Sequence, residues 1–433
     1  MNRDRQDRQN GLRLPVSLKE FFPHKVCINL DRRMDRWERM QARFAQHDIG
    51  TVTRFSALDG ATLTPPPHWD DFPGAYGCLR SHLAVVKQAR EQRLPAVLIF
   101  EDDTEFHPEL DARFAHYIKQ MPSGWDMIFF GGIHGAPPPA RVSENVVKLT
   151  HSLSTFAYAL RESIYDGFIE LNEKALTVLD ENTRELQKHF NCYCFMPHLA
   201  WVEVDHSDVR DETENLWWIK ESLVLWGDEM ESILRSTAII ISHRGTGPNA
   251  SRNLNFIVSS YSHRLPDVAL VVVEQGERPS VDLTALPHGC RYEFLKSNGQ
   301  SDRSRAFKLG FEMMESSKEF FIFTDGDIFL TREDIKANLM QCRRYEFISG
   351  FRNLWDLPEE ETSKIINNEI RWNTKAQFHL KEKKDIRDSC CIITRAATRA
   401  LGVWEEGDDV TAKINQSLRV FQSPNRARRL FNG

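Results

Sequence analysis

The chain lacks any long apolar run. No segment approaches the roughly 20 consecutive apolar residues that cross a bilayer, and the opening Met1 to Asn10 is polar and rich in Arg and Asp, without the apolar core of a signal peptide. The expectation is a cytoplasmic protein, soluble or peripheral to the inner membrane. A cysteine pattern is also missing. Among eight cysteines, Cys192 and Cys194 are one residue apart, Cys390 and Cys391 are adjacent and the rest are scattered. That spacing matches neither a zinc motif nor a disulfide framework and reads as buried free thiols. Nor is there a dominant charge. Fifty-six Lys and Arg face 62 Asp and Glu, and a net charge of -6 argues against a surface that coats nucleic acid, leaving only local basic patches for such a partner.

What is present is enough chain for two cores. A length of 433 residues exceeds the size at which one core stops growing, and 41% hydrophobic with 27% charged residues is ordinary for a globular protein. Two short apolar segments each run into paired acids: Ala96-Val97-Leu98-Ile99-Phe100 into Glu101-Asp102-Asp103, and Phe320-Phe321-Ile322-Phe323-Thr324 into Asp325-Gly326-Asp327. A buried strand ending in carboxylates puts hard oxygen ligands at the carboxyl edge of an α/β sheet, where such sheets bind ligands. Carboxylates there suit a divalent cation on a diphosphate. Glu101, Asp102, Asp103, Asp325 and Asp327 are therefore the metal candidates. A single acid pair at a strand end is more often a cap or a solvated turn; two in matching contexts reverse that preference.

In the first half, a strand at Lys25 to Leu30 precedes a helix through Trp37, Met40 and Phe44. A turn at Ser56 to Gly60 and a second helix opening at Gly77 to His82 lead to the acid-tipped strand, and a further strand covers Trp125 to Gly132. Strands alternating with helices predict a mostly parallel sheet covered on both faces. Ile28-Asn29-Leu30-Asp31-Arg32, Ser56-Ala57-Leu58-Asp59-Gly60, Gly77 through His82, Glu101-Asp102-Asp103 and Trp125 through Gly132 resemble, in order and spacing, the motif series of glycosyltransferase family 25. Ser154 to Leu160, Pro197 and His206 to Val209 continue it. That family includes lipopolysaccharide-core and collagen galactosyltransferases, and the resemblance implies a GT-A nucleotide-sugar fold, a UDP-sugar donor and Mn²⁺ or Mg²⁺.

The second half begins again with strands at Thr237 to Ile241 and Val268 to Glu274, then a polar helix start carrying Arg303, Arg305 and Lys308 ahead of the strand tipped by Asp325 and Asp327. This order is similar to family 2 GT-A glycosyltransferases. Asp388 to Arg395 and Leu401 to Asp409 resemble that group's acceptor-side strand and acid-bearing loop, although no histidine follows Asp409 to complete a metal site of the related kind. The expected architecture is thus α/β, with two GT-A-like, Rossmann-related nucleotide-sugar-binding domains. The divisions are a tail over 1–21, a family 25-like domain over 22–210, a linker helix over 211–236, a family 2-like domain over 237–424 and a basic tail over 425–433.

Sugar transfer needs donors to the departing diphosphate and a carboxylate to take the acceptor's proton. Asn29, Leu30, Arg32, Arg36, Ser81, His82, Ser242, Arg244, Arg303 and Arg305 are the nucleotide-sugar candidates, with His82 ranked as an organiser of the site. Glu405, Glu406, Asp408 and Asp409 are the candidate bases of the second half, Glu406 slightly preferred; Asp208 and Asp205 are those of the first. Arg32, Arg33 and Arg36 read equally well as ion-pair partners of Asp31, Asp35 and Glu38. Trp217, Trp218 and the apolar positions after them read as inter-domain packing or, less readily beside an acidic flank, as a membrane-surface contact. The function expected is a bifunctional, inverting, metal-dependent glycosyltransferase, galactose-like in its first half, with a surface glycan such as lipopolysaccharide or capsule as acceptor. Three rivals remain open at this stage: phage-type modified DNA as acceptor, one domain serving only as a glycan-binding or scaffold module, and nucleotidyl transfer.

Overall fold

The computed structural model describes residues 17–203, 206–209, 212–213, 216–297, 302–367, 379–382, 390–401, 418–423 and 426–430. The chain divides into two compact units, Met1–Val224 and Leu225–Gly433. In unit 1 the sheet strands are β1 (Lys25–Asn29), β2 (Thr53–Ser56), β3 (Ala96–Glu101), then β5 (Met127–Phe129), β6 (Val146–Lys148), β7 (Ala157–Arg161) and β8 (Cys192–Phe195). Their order is β2-β1-β3-β7-β5-β8-β6, with Ala140–Arg141 at the far edge. A small ribbon beside the sheet pairs β4 (Thr104–Phe106) with β9 (Ala200–Val202). Alternation along β3 explains its position. Val97 and Ile99 join a core with Leu79, Leu83 and Val86 of α2 (Pro73–Glu91) and Ile164 and Phe168 of α3 (Glu162–Glu173). Phe100, on the other face, meets Phe44 of α1 (Met34–Gln46) and Phe106.

Unit 2 repeats this topology. Its strands are β10 (Thr237–Arg244), β11 (Ala269–Gly276), β12 (Arg291–Lys296), β13 (Phe320–Asp325), β15 (Phe347–Ser349), β16 (Cys390–Thr394) and β17 (Val420–Gln422), in the order β12-β11-β10-β13-β16-β15-β17. In both units the first strand lies parallel between the second and the acid-tipped strand. The acid-tipped strand then pairs antiparallel with a late strand, β7 or β16, whose other neighbour is again antiparallel. A last parallel pair follows, β5 with β8 and β15 with β17. The ribbon recurs as well: β14 (Ile328–Phe329) pairs antiparallel with β18 (Arg426–Arg429). Helices α4 (Ala250–Arg264) and α5 (Arg303–Met314) precede the acid-tipped strand, and Phe307 and Phe311 of α5 pack on Phe321 and Phe323.

Several expectations need correction. The sheets are rich in parallel pairs, as expected, but each is interrupted by antiparallel ones, because the strand beside each acid-tipped strand enters from the opposite end. Residues 17–21, placed in the N-terminal tail, include the helical turn Leu18–Phe21, and Leu18 and Phe22 are buried. The expected linker helix is instead a two-residue hairpin at His206–Ser207 and Glu212–Thr213 and two short helices, Trp217–Lys220 and Asp228–Arg235. The helices are separated at Ser222 and Gly227, both at positive φ. Trp217 and Trp218 are buried, which removes the membrane contact proposed for them. The basic tail is not frayed where it is described: Arg426–Arg429 is strand β18, paired also with Asn353–Asp356.

Helix α2 starts at Pro73, four residues before the expected Gly77, with the proline pre-organised for the first turn. The Ser56–Gly60 turn lies directly on it. A Cβ at Gly77 would come within 2.5 Å of the Leu58 carbonyl oxygen and the Gly60 nitrogen. Ser81 locks the same contact, its hydroxyl accepting from the Leu58 amide at 2.8 Å and donating to the Gly77 carbonyl at 2.7 Å. Gly77→Ala should therefore destabilise unit 1 by about 1–3 kcal/mol, the usual cost of overpacking. In urea unfolding followed separately for the two units, the unit 1 midpoint should fall while that of unit 2 stays; an unchanged unit 1 midpoint would show that the turn can back away.

Candidate functional site

The repeat aligns the two acid clusters residue by residue. Ile28 pairs with Glu101 as Ser242 pairs with Asp325, and Ala157 opposes Phe100 as Cys390 opposes Thr324. Beyond the turn, the Glu203 amide donates to the Asp103 carbonyl at 2.8 Å as the Leu430 amide donates to that of Asp327 at 2.9 Å. Glu101 thus corresponds to Asp325, Asp102 to Gly326, Asp103 to Asp327 and Asn29 to His243.

That correspondence separates Asp102 from its neighbours. Its carboxylate accepts from Asn29 Nδ2 at 2.7 Å and from Arg36 at 2.9 Å, so both oxygens are engaged inside the fold. Asn29 is itself buried and accepts from Arg54 at 2.7 Å. In unit 2 the Asn–Asp pair is replaced by a histidine over a glycine, and a Cβ on Gly326 would approach His243 Nδ1 to 2.9 Å. Asp102 is therefore an internal strut, while Glu101 and Asp103 occupy the positions of Asp325 and Asp327. Burial raises Asp102 above the usual carboxylate range, against the pull of Arg36. Burial also works to raise Glu101, but contacts with His82, Thr155 and Arg36 outweigh it and hold this carboxyl low. Thr155 donates to Glu101 at 2.9 Å; His82 Nε2 lies 3.4 Å from it, and the other ring nitrogen is 2.8 Å from the Tyr158 hydroxyl.

Three arginines surround these acids. Arg36, 4% exposed, lies 3.6 Å from Asp103 and 3.8 Å from Asp208. Arg32 pairs with Asp59, and with Asp208 at 2.9 Å; Arg33 also pairs with Asp208. Asp208 is thus brought to the cluster by a backbone segment packed on the first turn of α2, where a Cβ at Gly74 would lie 2.7 Å from the Asp208 carbonyl. Leu30 turns the chain there, its carbonyl accepting from the Arg33 amide at 2.8 Å. Ser81, fully buried and bonded within the fold, positions the Ser56–Gly60 turn and does not face a ligand.

In unit 2 a cavity of about 280 Å³ opens on the acids. Ser242, Arg244, Arg303, Asp325 and Asp327 line it together with His243, Gln275 and Arg429. Arg303 lies 3.2 Å from Asp325, and Arg429 is 3.8 Å from Asp327 and 3.6 Å from Asp356. Ala250, the first residue of α4, also faces the cavity, and a helix start favours an anion. His243 is 3% exposed with its Nε2 unpartnered by any protein group, and burial lowers its pKa. Arg305 is exposed and lies off the cavity, since residues two apart on a helix point to opposite sides. Sequence reasoning missed His243, Gln275 and Arg429; the last had its signal in the basic run, read there as a tail. Asp205, Glu405, Glu406, Asp408 and Asp409 lie outside the described residues.

The donor set fits a hard divalent cation. Asp325 and Asp327 offer oxygens at the cavity wall, and burial raises Asp327 against the pull of Arg429, a penalty that a cation would relieve. Because the folded-state pKa of Asp327 lies above its ordinary value of 3.8, its contribution to stability is full below that value and is lost as pH rises through the raised one. Without divalent cation, Asp327→Asn should thus raise the urea midpoint of unit 2 at neutral pH, with the gain shrinking on acidification. A lowered midpoint at neutral pH would mean that Arg429 outweighs the burial cost.

Comparison with known proteins gives a match over part of unit 1. Residues 22–133 match the sequence model of glycosyltransferase family 25, described as LPS biosynthesis protein. The inactive glycosyltransferase 25 family member 3 of Homo sapiens is 29% identical over 164 residues, covering 32% of this chain and 27% of that protein. Procollagen galactosyltransferase 2 of Mus musculus is 27% identical over 175 residues, covering 34% and 28%. The chain spans little more than a quarter of the length of either relative. Among solved structures, a putative nucleotide-diphospho-sugar transferase from Desulfovibrio desulfuricans aligns over 45% of this chain and 82% of its own, at 12% identity and a TM-score of 0.27. No helix among the described residues is long and apolar enough to cross a membrane.

Proposed function

We propose that the chain is a glycosyltransferase with two nucleotide-sugar sites of GT-A type, one at each acid-tipped strand, transferring sugars to a surface glycan. The observation that carries this reading is the repeated topology: unit 2 places Asp325 and Asp327 where the family-matched unit 1 places Glu101 and Asp103. Mn²⁺ or Mg²⁺ would be held by Asp325 and Asp327 in unit 2 and by Glu101 and Asp103 in unit 1. When bound, it supplies Lewis-acid stabilisation of a nucleoside diphosphate leaving group. Arg303, Arg429 and Arg244 donate to the diphosphate oxygens, and His243 with Gln275 orients the remainder of the donor. In unit 1 Asp208 would take the acceptor proton, its charge held ready by Arg32 and Arg33. The base of unit 2 falls to the Glu405–Asp409 segment. A galactose-like donor for unit 1 and a lipopolysaccharide or capsule acceptor extend the family likeness.

A second reading has a specific observation behind it. The acids of unit 1 carry ion pairs to Arg32, Arg33 and Arg36, whereas those of unit 2 open on a cavity, and one relative of unit 1 is named inactive. On that reading unit 2 alone transfers sugar and unit 1 binds glycan or organises the chain.

Nucleoside diphosphate release from UDP-, GDP- and TDP-sugars, and CMP release from CMP-sugars, with Mn²⁺ and water as slow acceptor, distinguishes them. Two sites predict that Asp103→Ala and Asp327→Ala each abolish turnover of one donor; one site predicts that only Asp327→Ala matters. Pyrophosphate as product would indicate nucleotidyl transfer, and no turnover of any donor with candidate glycans would sink the proposal. Within the active unit the strut and the cation ligand should also separate. Asp103→Asn should cost on the order of a hundredfold or more in kcat, through lost electrostatic stabilisation. Asp102→Asn, which keeps the bond from Asn29, should cost less in kcat and more in urea midpoint.

A further inference from the structure

Away from the acids, unit 1 carries a second set of ligand-type side chains. His134 lies in a hairpin, Ile133–His134 paired with Ser152–Leu153; Cys194 sits in β8; His198 follows Pro197 on the way to β9. All three are buried, and their ligand atoms lie within 4.8 Å of one another. The two Nε2 atoms face each other at 3.0 Å. Each remaining ring nitrogen has an oxygen partner: His198 Nδ1 lies 2.7 Å from the Ile219 carbonyl, and His134 Nδ1 lies 2.8 Å from the Ser152 hydroxyl. The His198 amide donates to the Ser222 hydroxyl at 2.7 Å, which fixes the loop from a further segment.

The carbonyl of Ile219 can only accept, so a neutral His198 carries its proton on Nδ1 and presents a bare Nε2. His134 has two possible partners for its proton. With the proton on Nε2 it donates to His198, and the pair is a hydrogen-bonded core relay. With the proton on Nδ1 it donates to Ser152, and both Nε2 atoms are left bare within 4.8 Å of Cys194 Sγ, so that a small rotation of the rings would let an ion sit among the three. The second arrangement is the one metal-bound histidines adopt, each ring held through its other nitrogen by an oxygen.

We propose that His134, Cys194 and His198 form a structural zinc site, distinct from the acid clusters and soft enough to select Zn²⁺ over the Mn²⁺ or Mg²⁺ expected there. All three groups are buried, and each imidazole has an oxygen partner for the proton on its other nitrogen, so the rings can ligate without losing a proton. Binding exchanges the Cys194 thiol proton, which in the metal-free form points to the Phe195 carbonyl, for a thiolate–metal bond and releases one proton. The two imidazoles bind as neutral donors, with the thiolate as the third protein ligand. The ion would join the Ile133–His134 hairpin to the segment from Cys194 to His198, and His198 in turn is bonded to Ile219 and Ser222.

The test uses the full-length Asp103→Ala, Asp327→Ala chain, so that the carboxylate sites are removed, reduced and refolded with Zn²⁺ or Co²⁺ to give the buried site access to metal. The expected result is about one zinc per chain by elemental analysis and, with Co²⁺, a thiolate-to-cobalt charge-transfer band that Cys194→Ser removes. Ser152→Ala, which alters no ligand, should weaken Co²⁺ binding about tenfold, as loss of a partner to a ligating histidine does. The site fails if the refolded chain holds no stoichiometric metal and nitrogen NMR of its imidazoles shows one Nε2–H shared between the histidines. That readout needs no substitution at the three residues, so a misfolded variant cannot imitate it, and it does not depend on sugar transfer.

Discussion

Carboxylates held at the end of a buried strand are the constraint around which each unit is arranged. Four buried residues precede the acids in each unit, Val97–Phe100 and Phe321–Thr324, so the strand end is fixed and the acids cannot move far toward water. A charge in that place must be matched. Unit 1 does so with Arg36, buried beneath Asp102 and Asp103, and with Arg32 and Arg33 on Asp208. Unit 2 uses Arg303 at the start of a helix and Arg429 from the last described strand. On the function proposed above, the guanidinium groups that make the acids tolerable in the free chain would also be the donors to a diphosphate, so that stability and binding would share one set of side chains.

The two halves solve the problem with the same strand order and different chemistry. Where unit 1 has Asn29 bonded to Asp102, unit 2 has His243 packed over Gly326. The exchange is concerted: a Cβ at Gly326 would strike the imidazole, and a glycine at Asp102 would take one acceptor from each of Arg36 and Asn29. A shared backbone therefore supports one internal strut in unit 1 and a cavity-lining ring in unit 2. The order of strands is compatible with many reactions, and only these side chains argue for a particular one.

Much of the fold was legible because strand and helix signals are local. The apolar runs at Ala96–Phe100 and Phe320–Thr324, the 3.6-residue spacing of Trp37, Met40 and Phe44, and the restart of the pattern at Thr237 all correspond to elements of the structure. The segment after residue 210 misled for a local reason too. Its apolar positions keep helical spacing, but Ser222 and Gly227 take positive φ and divide it. The antiparallel strands beside each acid-tipped strand were not legible, since a five-residue apolar run reads the same in either direction.

By itself the sequence determined that acids terminate two buried strands and that arginines stand nearby, because strand burial and chain proximity follow from composition over a few residues. Only the tertiary structure decided which acid turns inward and which faces the cavity. A strand's register is set by partners far along the chain: Cys390 opposite Thr324, 66 residues on, and Ala157 opposite Phe100, 57 residues on. It likewise decided that Arg429 returns to Asp327 and that His134, Cys194 and His198 meet in one place. Those contacts close long loops, and no short-range pattern in the chain encodes where such a loop comes to rest.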